Sequence, residues 1–313
     1  MTQSISAAIH IQGPTIRYAE IERENEALTL RRLGRELLGF DVMSVLWGEE
    51  RDADALDRVG AVVREVLEDT EGASVKLVVH PLDVYSFFMP IPTGLSEQAQ
   101  DRRVAYQAAL VTDSRSSEAL HTTSHSVRTV EEDGETIEWI DVLAVPQAVE
   151  ERMGTLAASV PGQDPVRMIS SKAAARVMRR HAESEHAPSE ESEGAYRLAV
   201  GQYPTHTEYA VTHDGKWHHA HAAQEARTPE NRVYYAVGFL NRIGVSPSEI
   251  GALFLYGSDA GPGADGPFET VFDCRPAPLD PFEELHLTED TSREEAPAPY
   301  VPCIGGALAA QPA

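Results

Sequence analysis

The residues of this chain with the clearest capacity for chemistry are histidines. His206 and His213 precede the run Trp217-His218-His219-Ala220-His221, and neutral imidazoles are good Zn²⁺ ligands. The spacing matches neither the i, i+4 pair of a helix nor a finger pattern, and Lys216 adds a positive charge beside it. These side chains are expected to form the polar surface of a hairpin end and to hold no metal. His181 closes a helical stretch and His186 follows among carboxylates, where the helix dipole or the neighbouring charge favours a cationic imidazole. Nucleophilic catalysis finds no seat. Gly257-Ser258-Asp259-Ala260-Gly261 lacks the Gly-x-Ser-x-Gly order of a nucleophile elbow, and Cys303 lies inside an apolar segment that reads as core. The glycine-rich stretch 261–266 reads as a flexible loop rather than a phosphate cradle, and no carboxylate pair stands out among 50 Asp and Glu. No catalytic set emerges.

The elements that would position these residues follow from periodicity. Residues 8–21 form two alternating apolar segments around Gly13-Pro14, the signal of a β-hairpin, and a third strand is expected over 28–33. Leu56, Val59, Val63, Val66 and Leu67 fall at helical spacing after Asp52 or Asp54 as N-cap, with Gly72 as a stop, and 74–79 reads as a buried strand. The segment 80–92 is punctuated by Pro81, Pro90 and Pro92. Its Tyr85, Phe87, Phe88 and Met89 either line a groove for a partner peptide or pack in a core. Helices are expected over 97–110, 147–157 and 164–181, and strands over 124–130 and 136–144. After the acidic, Ser-rich stretch 183–194, which reads as a linker, a second hairpin spans 196–212. A helix then opens at Thr228-Pro229 and a short strand runs over 252–256. Both halves run from hairpin to helix to strand.

Composition narrows the function classes. With 26 Lys and Arg against 50 Asp and Glu, the 313 residues carry a net charge of −24, which repels nucleic acid and anionic lipid. Lys76, Lys172 and Lys216 are the only lysines, and an acidic, lysine-poor surface tolerates salt. Two cysteines are too few for a disulfide framework. No apolar run approaches the roughly 18 residues of a membrane helix, so the expected location is cytoplasmic.

On these residues the chain resembles the PilM group of actin-like ATPases, which are type IV pilus assembly proteins. Ile9, Ile11, Thr15, Ile16, Arg17, Glu20 and Ile21 fall in register with that group's first phosphate-loop hairpin. Tyr256-Gly257-Ser258 sits where its glycine turn approaches adenosine. Leu279-Asp280-Pro281-Phe282 and Pro302-Cys303-Ile304-Gly305-Gly306-Ala307-Leu308-Ala309 are similar to its closing segments. The resemblance implies an α/β (mixed α+β) actin-like, ribonuclease H-like fold of two domains, with a small subdomain inserted in the first half. The first domain would take 1–79 and 160–182, the insertion 80–159, the linker 183–194 and the second domain 195–313. It also implies a nucleotide site at His10, Gln12, Gly13, Thr15, Thr205, Thr207, Gly257 and Ser258, and a partner cleft near Tyr85, Phe87, Phe88 and Met89.

The departures from that pattern bear on function. Mg²⁺ and nucleotide phosphates call for carboxylate ligands and tight glycines, but the first Asp position holds His10 and the second falls near Gly201. The first glycine position holds Gln12, though Gly13 follows at once, and the second falls near Tyr203. Only 217–227 separate the second hairpin from the next helix, too few residues for the group's lid. The resemblance so modified implies an adaptor without ATP turnover or bound cofactor. Its partner would be the cytoplasmic tail of a membrane-anchored assembly protein, and it would sit at the inner membrane only through that partner. An ATP- and Mg²⁺-binding ATPase with substitute carboxylates, and an unrelated His-based metal protein, stand as alternatives.

Overall fold

Strict alternation in the first forty residues builds an antiparallel meander of β1 (Gln3–Gln12), β2 (Thr15–Glu24) and β3 (Ala27–Leu37), with Gly13 at φ +54° in the two-residue β1–β2 turn. The computed structural model describes residues 3–25, 27–48, 52–68, 70, 73–114, 116–132, 134–159, 166–184, 196–261, 263, 266–283, 285–288, 291 and 296–309. Helices α1 (Val42–Trp47) and α2 (Ala53–Val66) follow, capped by the Asp41 and Asp52 carboxylates, which accept from the Ser44 and Ala55 amides. Strand β4 (Ser74–Val79) then pairs parallel to β1.

An inserted unit comes next: β5 (Tyr85–Pro92), α3 (Glu97–Val111), β6 (Leu120–Glu132) and β7 (Glu135–Pro146), in a sheet ordered β5-β7-β6. The chain returns through α4 (Gln147–Ala157), β8 (Val166–Ile169) and α5 (Ser170–Ser184). Two expectations change here. The stretch 147–157, assigned to the insertion, buries Val149, Met153 and Leu156 in the first half's core, and Arg152 donates from Nη1 to the carbonyls of Leu46 and Gly48 at 2.7 Å. The helix expected from 164 starts only at Ser170, because Val166–Ile169 pairs parallel to β4. Of the linker read over 183–194, residues 185–194 lie outside the described residues, as does the stop residue Gly72.

The second half repeats the pattern with β9 (Tyr196–Gln202), β10 (Thr207–His213) and β11 (Lys216–Ala223), then α6 (Pro229–Arg242) and β12 (Ile250–Tyr256). Thr228 caps α6 by accepting from the Asn231 amide, with Pro229 in the first turn. The chain ends through α7 (Gly266–Glu269), β13 (Ala277–Pro278), β14 (His286–Leu287) and α8 (Val301–Ala309). The sheets run β14-β3-β2-β1-β4-β8 and β11-β10-β9-β12-β13, so β14 carries the end of the chain back to the first half.

Both sheets bury two faces, and α5 and α8 form the layer between them. Ile9 and Ile11 share a core with Val59, Val63 and Met153, whereas Ala8 and Val78 share another with Ile304 and Ala307 of α8. In the second half Leu198 and Val200 pack with Val233, Phe239 and Leu240 of α6, and Ala199 and Tyr256 with Ala174, Val177 and Met178 of α5. The α5–α8 crossing is close enough that a Cβ on Gly305 would stand 2.1 Å from the Ala173 carbonyl oxygen.

Candidate functional site

The two hairpin turns face each other across a cleft of about 530 Å³ between the halves. Gln12, Gly13 and Thr15 come from the β1–β2 turn, Thr205 and His206 from the β9–β10 turn, His80 and Asp83 from the segment after β4, and Ser258 from the end of β12. Gln12 Nε2 donates to Ser258 Oγ at 2.8 Å and so joins the halves at the mouth, while Arg17 Nη1 donates to Gln12 Oε1 at 2.8 Å. Gly257 lies just below at φ +99°, where a Cβ would stand 2.4 Å from the Gln202 carbonyl oxygen. Only glycine fits there.

Of the eight positions expected at a nucleotide site, Gln12, Gly13, Thr15, Thr205 and Ser258 line this cleft, and Gly257 holds its wall. His10 and Thr207 are buried beneath it. Thr207 Oγ1 donates to the Ala226 carbonyl. The floor is a set of rings and one carboxylate that sequence reading did not single out. Glu208, fully buried as the second residue of β10, accepts from His80 Nδ1 at 2.6 Å, His206 Nε2 at 3.0 Å and the Tyr256 hydroxyl at 3.0 Å. Ser170 Oγ stands 2.6 and 2.7 Å from its two oxygens. The His80 ring meets His10 at 4.8 Å, His206 at 4.6 Å and Tyr203 at 4.4 Å, all edge-on.

Electrostatics follow from this packing. Burial alone would raise the Glu208 pKa, but the His80 imidazole and hydrogen bonds from both histidines outweigh it, holding the carboxyl well below its usual range. Burial, with His80 and Arg17 nearby, pushes His10 well below the ordinary histidine value, so its ring is neutral. Burial and the Glu208 charge push the Tyr203 and Tyr256 hydroxyls well above theirs. Burial raises Asp83, which lines the cleft.

The histidine-rich run lies elsewhere. Arg128 of β6 donates to the His218 carbonyl and contacts His219 Nε2 at 3.0 Å, and Phe88 meets Trp217 at 5.0 Å and His219 at 4.9 Å, edge-on. Strand β11 is thus the face on which the inserted sheet rests against the second half. The four expected cleft residues divide accordingly. Phe88 belongs to that contact, Phe87 and Met89 pack in the inserted unit's own core, and Tyr85 alone borders a groove, set edge-on to Trp47 at 5.9 Å. Met89 is buried and so does not offer a docking surface.

No protein-family model matches this sequence, and no curated protein matches it. Solved structures do. A chain of the PilM-PilN type IV pilus biogenesis complex superposes with a TM-score of 0.71 at 14% identity, over 98% of this chain and 99% of that one. The chain has the PilM-like, actin-like fold. The ethanolamine utilization protein EutJ from Carboxydothermus hydrogenoformans superposes at 0.48 with 10% identity, over 98% of this chain and 90% of that one. A Bacteroides thetaiotaomicron protein with an actin-like ATPase fold and unknown function gives 0.46 at 11% identity, over 82% and 84%. Against the PilM-like pattern, the expected closing segment is an Asx turn, in which the Asp280 carboxylate accepts from the Phe282 amide at 2.8 Å and Leu279 and Phe282 are buried. The stretch expected to be too short for a lid is in part the edge strand β11.

Proposed function

We propose that this protein is a cytoplasmic PilM-like adaptor of a pilus or secretion-type assembly. In this reading it has no ATP turnover and binds the tail of an inner-membrane partner. The floor of the cleft carries the reading. Mg²⁺ takes oxygen ligands in near-octahedral geometry, but the two positions from which the fold would aim carboxylates hold His10, buried under His80, and Gly201. A Cβ at Gly201 would stand 2.5 Å from the Tyr256 ring, so no acidic side chain fits there unless that ring moves. Residues 203–206 bring Tyr203 and Pro204 where phosphate oxygens would need close backbone N–H groups. The site does not fit a magnesium nucleotide.

The partner half of the proposal draws on the solved complex, which pairs PilM with PilN. A groove of about 310 Å³ beside the inserted unit, where Asp41, Ser44 and Asp83 alternate with Met43, Trp47, Leu82, Val84 and Tyr85, offers a seat of mixed polarity for an extended tail. Co-purification from solubilised membranes tests it. The wild-type chain should retain a membrane protein of pilus or secretion type, and Trp47→Ala with Tyr85→Ala should release it. Retention of none by the wild type would contradict the adaptor. A working ATPase remains as a second reading because Asp83 lines the cleft. Phosphate release from Mg·ATP should stay at background on our reading, whereas a rate abolished by Asp83→Asn would favour the second.

A further inference from the structure

Donor atoms from both halves of the molecule converge on one point beneath the cleft. His80 Nδ1, His206 Nε2 and Ser170 Oγ stand 2.6, 3.0 and 2.6 Å from the same Glu208 oxygen, Oε1. Ser170 Oγ also reaches Oε2 at 2.7 Å, so the two lone-pair directions of Oε1 face the two imidazoles, one from each half of the molecule. One ligand atom each of His80, His206 and Glu208 lies within 4.8 Å of the others, and all three residues are buried.

The geometry points to a Zn²⁺-class metal site formed by His80, His206 and Glu208, which ties the first half to the second under the cleft. Two imidazoles and a carboxylate suit a borderline first-row ion and not Mg²⁺. Around a tetrahedral zinc, ligand atoms sit about 3.3 Å apart, so the 2.6 and 3.0 Å contacts on Glu208 would open by less than about 1 Å while the three ligand atoms, within 4.8 Å of one another, draw in to that spacing. The supporting shell is in place for His206 and Glu208, while His80 Nε2 is buried without a hydrogen-bond partner. Thr205 Oγ1 lies 2.9 Å from His206 Nδ1, which fixes the ring with Nε2 toward Glu208, and Tyr256 and Ser170 hold the carboxylate. His10, edge-on to His80, is buried with neither ring nitrogen partnered, and His80 and His206 border the cleft. A fourth position can therefore be filled by water entering from the cleft. This is not the histidine run of β11, whose His218 and His219 are engaged with the inserted sheet. The site stands whether or not a partner tail binds the groove.

The test uses the full chain, stripped with a chelator and dialysed against ZnCl₂. Elemental analysis should find about one zinc per chain, cobalt should give tetrahedral visible bands, and zinc should raise the melting temperature. His206→Ala should lose affinity by more than the about 10–100-fold typical of outer-shell changes, and Ser170→Ala by about tenfold. Because removing an imidazole can unfold this core, Glu208→Gln, which keeps the volume and an acceptor, is the second variant. A metal-free melt monitored by circular dichroism establishes that each variant is folded. His219→Ala should bind as the wild type does. A wild type that retains no more zinc than folded Glu208→Gln, or zinc lost in His219→Ala and kept in His206→Ala, would overturn the assignment.

Discussion

Glu208 sets the charge balance of the interdomain floor, since one fully buried carboxylate answers two histidines, a serine and a tyrosine. Removing the shared acceptor of a buried cluster strands its donors, so Glu208→Ala should cost about 3–5 kcal/mol in urea unfolding. A loss below about 1 kcal/mol, the scale of an exposed pair, would mean the cluster is not a unit. The β11 histidines make a separate prediction about acid. Burial lowers His219 to about 3, and His218 and His221 to about 4, with Arg128 adding to the first two and Arg242 to His221. The unfolded chain titrates near pH 6.5 while the native rings stay neutral. Their contribution is therefore complete above about pH 6.5 and declines as the pH falls toward 4, because the unfolded state takes up the protons. His219→Gln keeps an acceptor for Arg128 without titrating, so its melting temperature should fall less between pH 7 and pH 5 than that of the wild type. An equal or steeper fall would assign the acid sensitivity elsewhere.

Close approach of elements sets the next scale. The α5–α8 layer exists because Gly305 lets one helix lie against the Ala173 carbonyl, and Gly306 does the same against Val78 and Ala8 of the first sheet. Gly305→Ala must push α8 outward, and overpacking of this kind costs about 1–3 kcal/mol. A neutral result by denaturant titration would show that the layer has slack. Much at this scale was legible in the sequence. The hairpins at β1–β2 and β9–β10 announce themselves by alternation and turn residues, and α2 and α6 by periodicity with an Asp or Thr cap. Strands β5, β8, β11, β13 and β14 escaped, the first two for clear physical reasons. β5 carries Pro90 and Pro92, which an edge strand tolerates because one row of its N–H groups goes unpaired. β8 is a four-residue run that does not alternate and continues directly into the helix-forming sequence of α5. The central carboxylate was hidden for a different reason, since nothing local separates a buried Glu208 from the other acidic residues. Only the return of β10 beside β9, with His80 brought up by β4, gives it partners.

Two similar halves, joined through α5 and α8, enclose the cleft, and among the described residues no helix is long and apolar enough to cross a membrane. The charge of −24 is unevenly spread: Lys172, Arg176, Arg179 and Lys216 gather around a cleft of about 160 Å³ between α5, β6 and β11. Elsewhere carboxylates repel one another, and because about 1 M salt shortens the screening length to about 3 Å, added KCl should raise the melting temperature. A fall across that range would count against self-repulsion as a feature of this surface. What the cleft between the halves can hold is decided at its floor. If its ring-packed floor excludes a magnesium nucleotide, Mg·ATP will leave the thermal unfolding curve of the full chain unmoved at millimolar concentration. A saturable stabilisation, approaching the about 2.7 kcal/mol expected for a ligand at a hundred times its dissociation constant and abolished by Thr15→Ala, would contradict it.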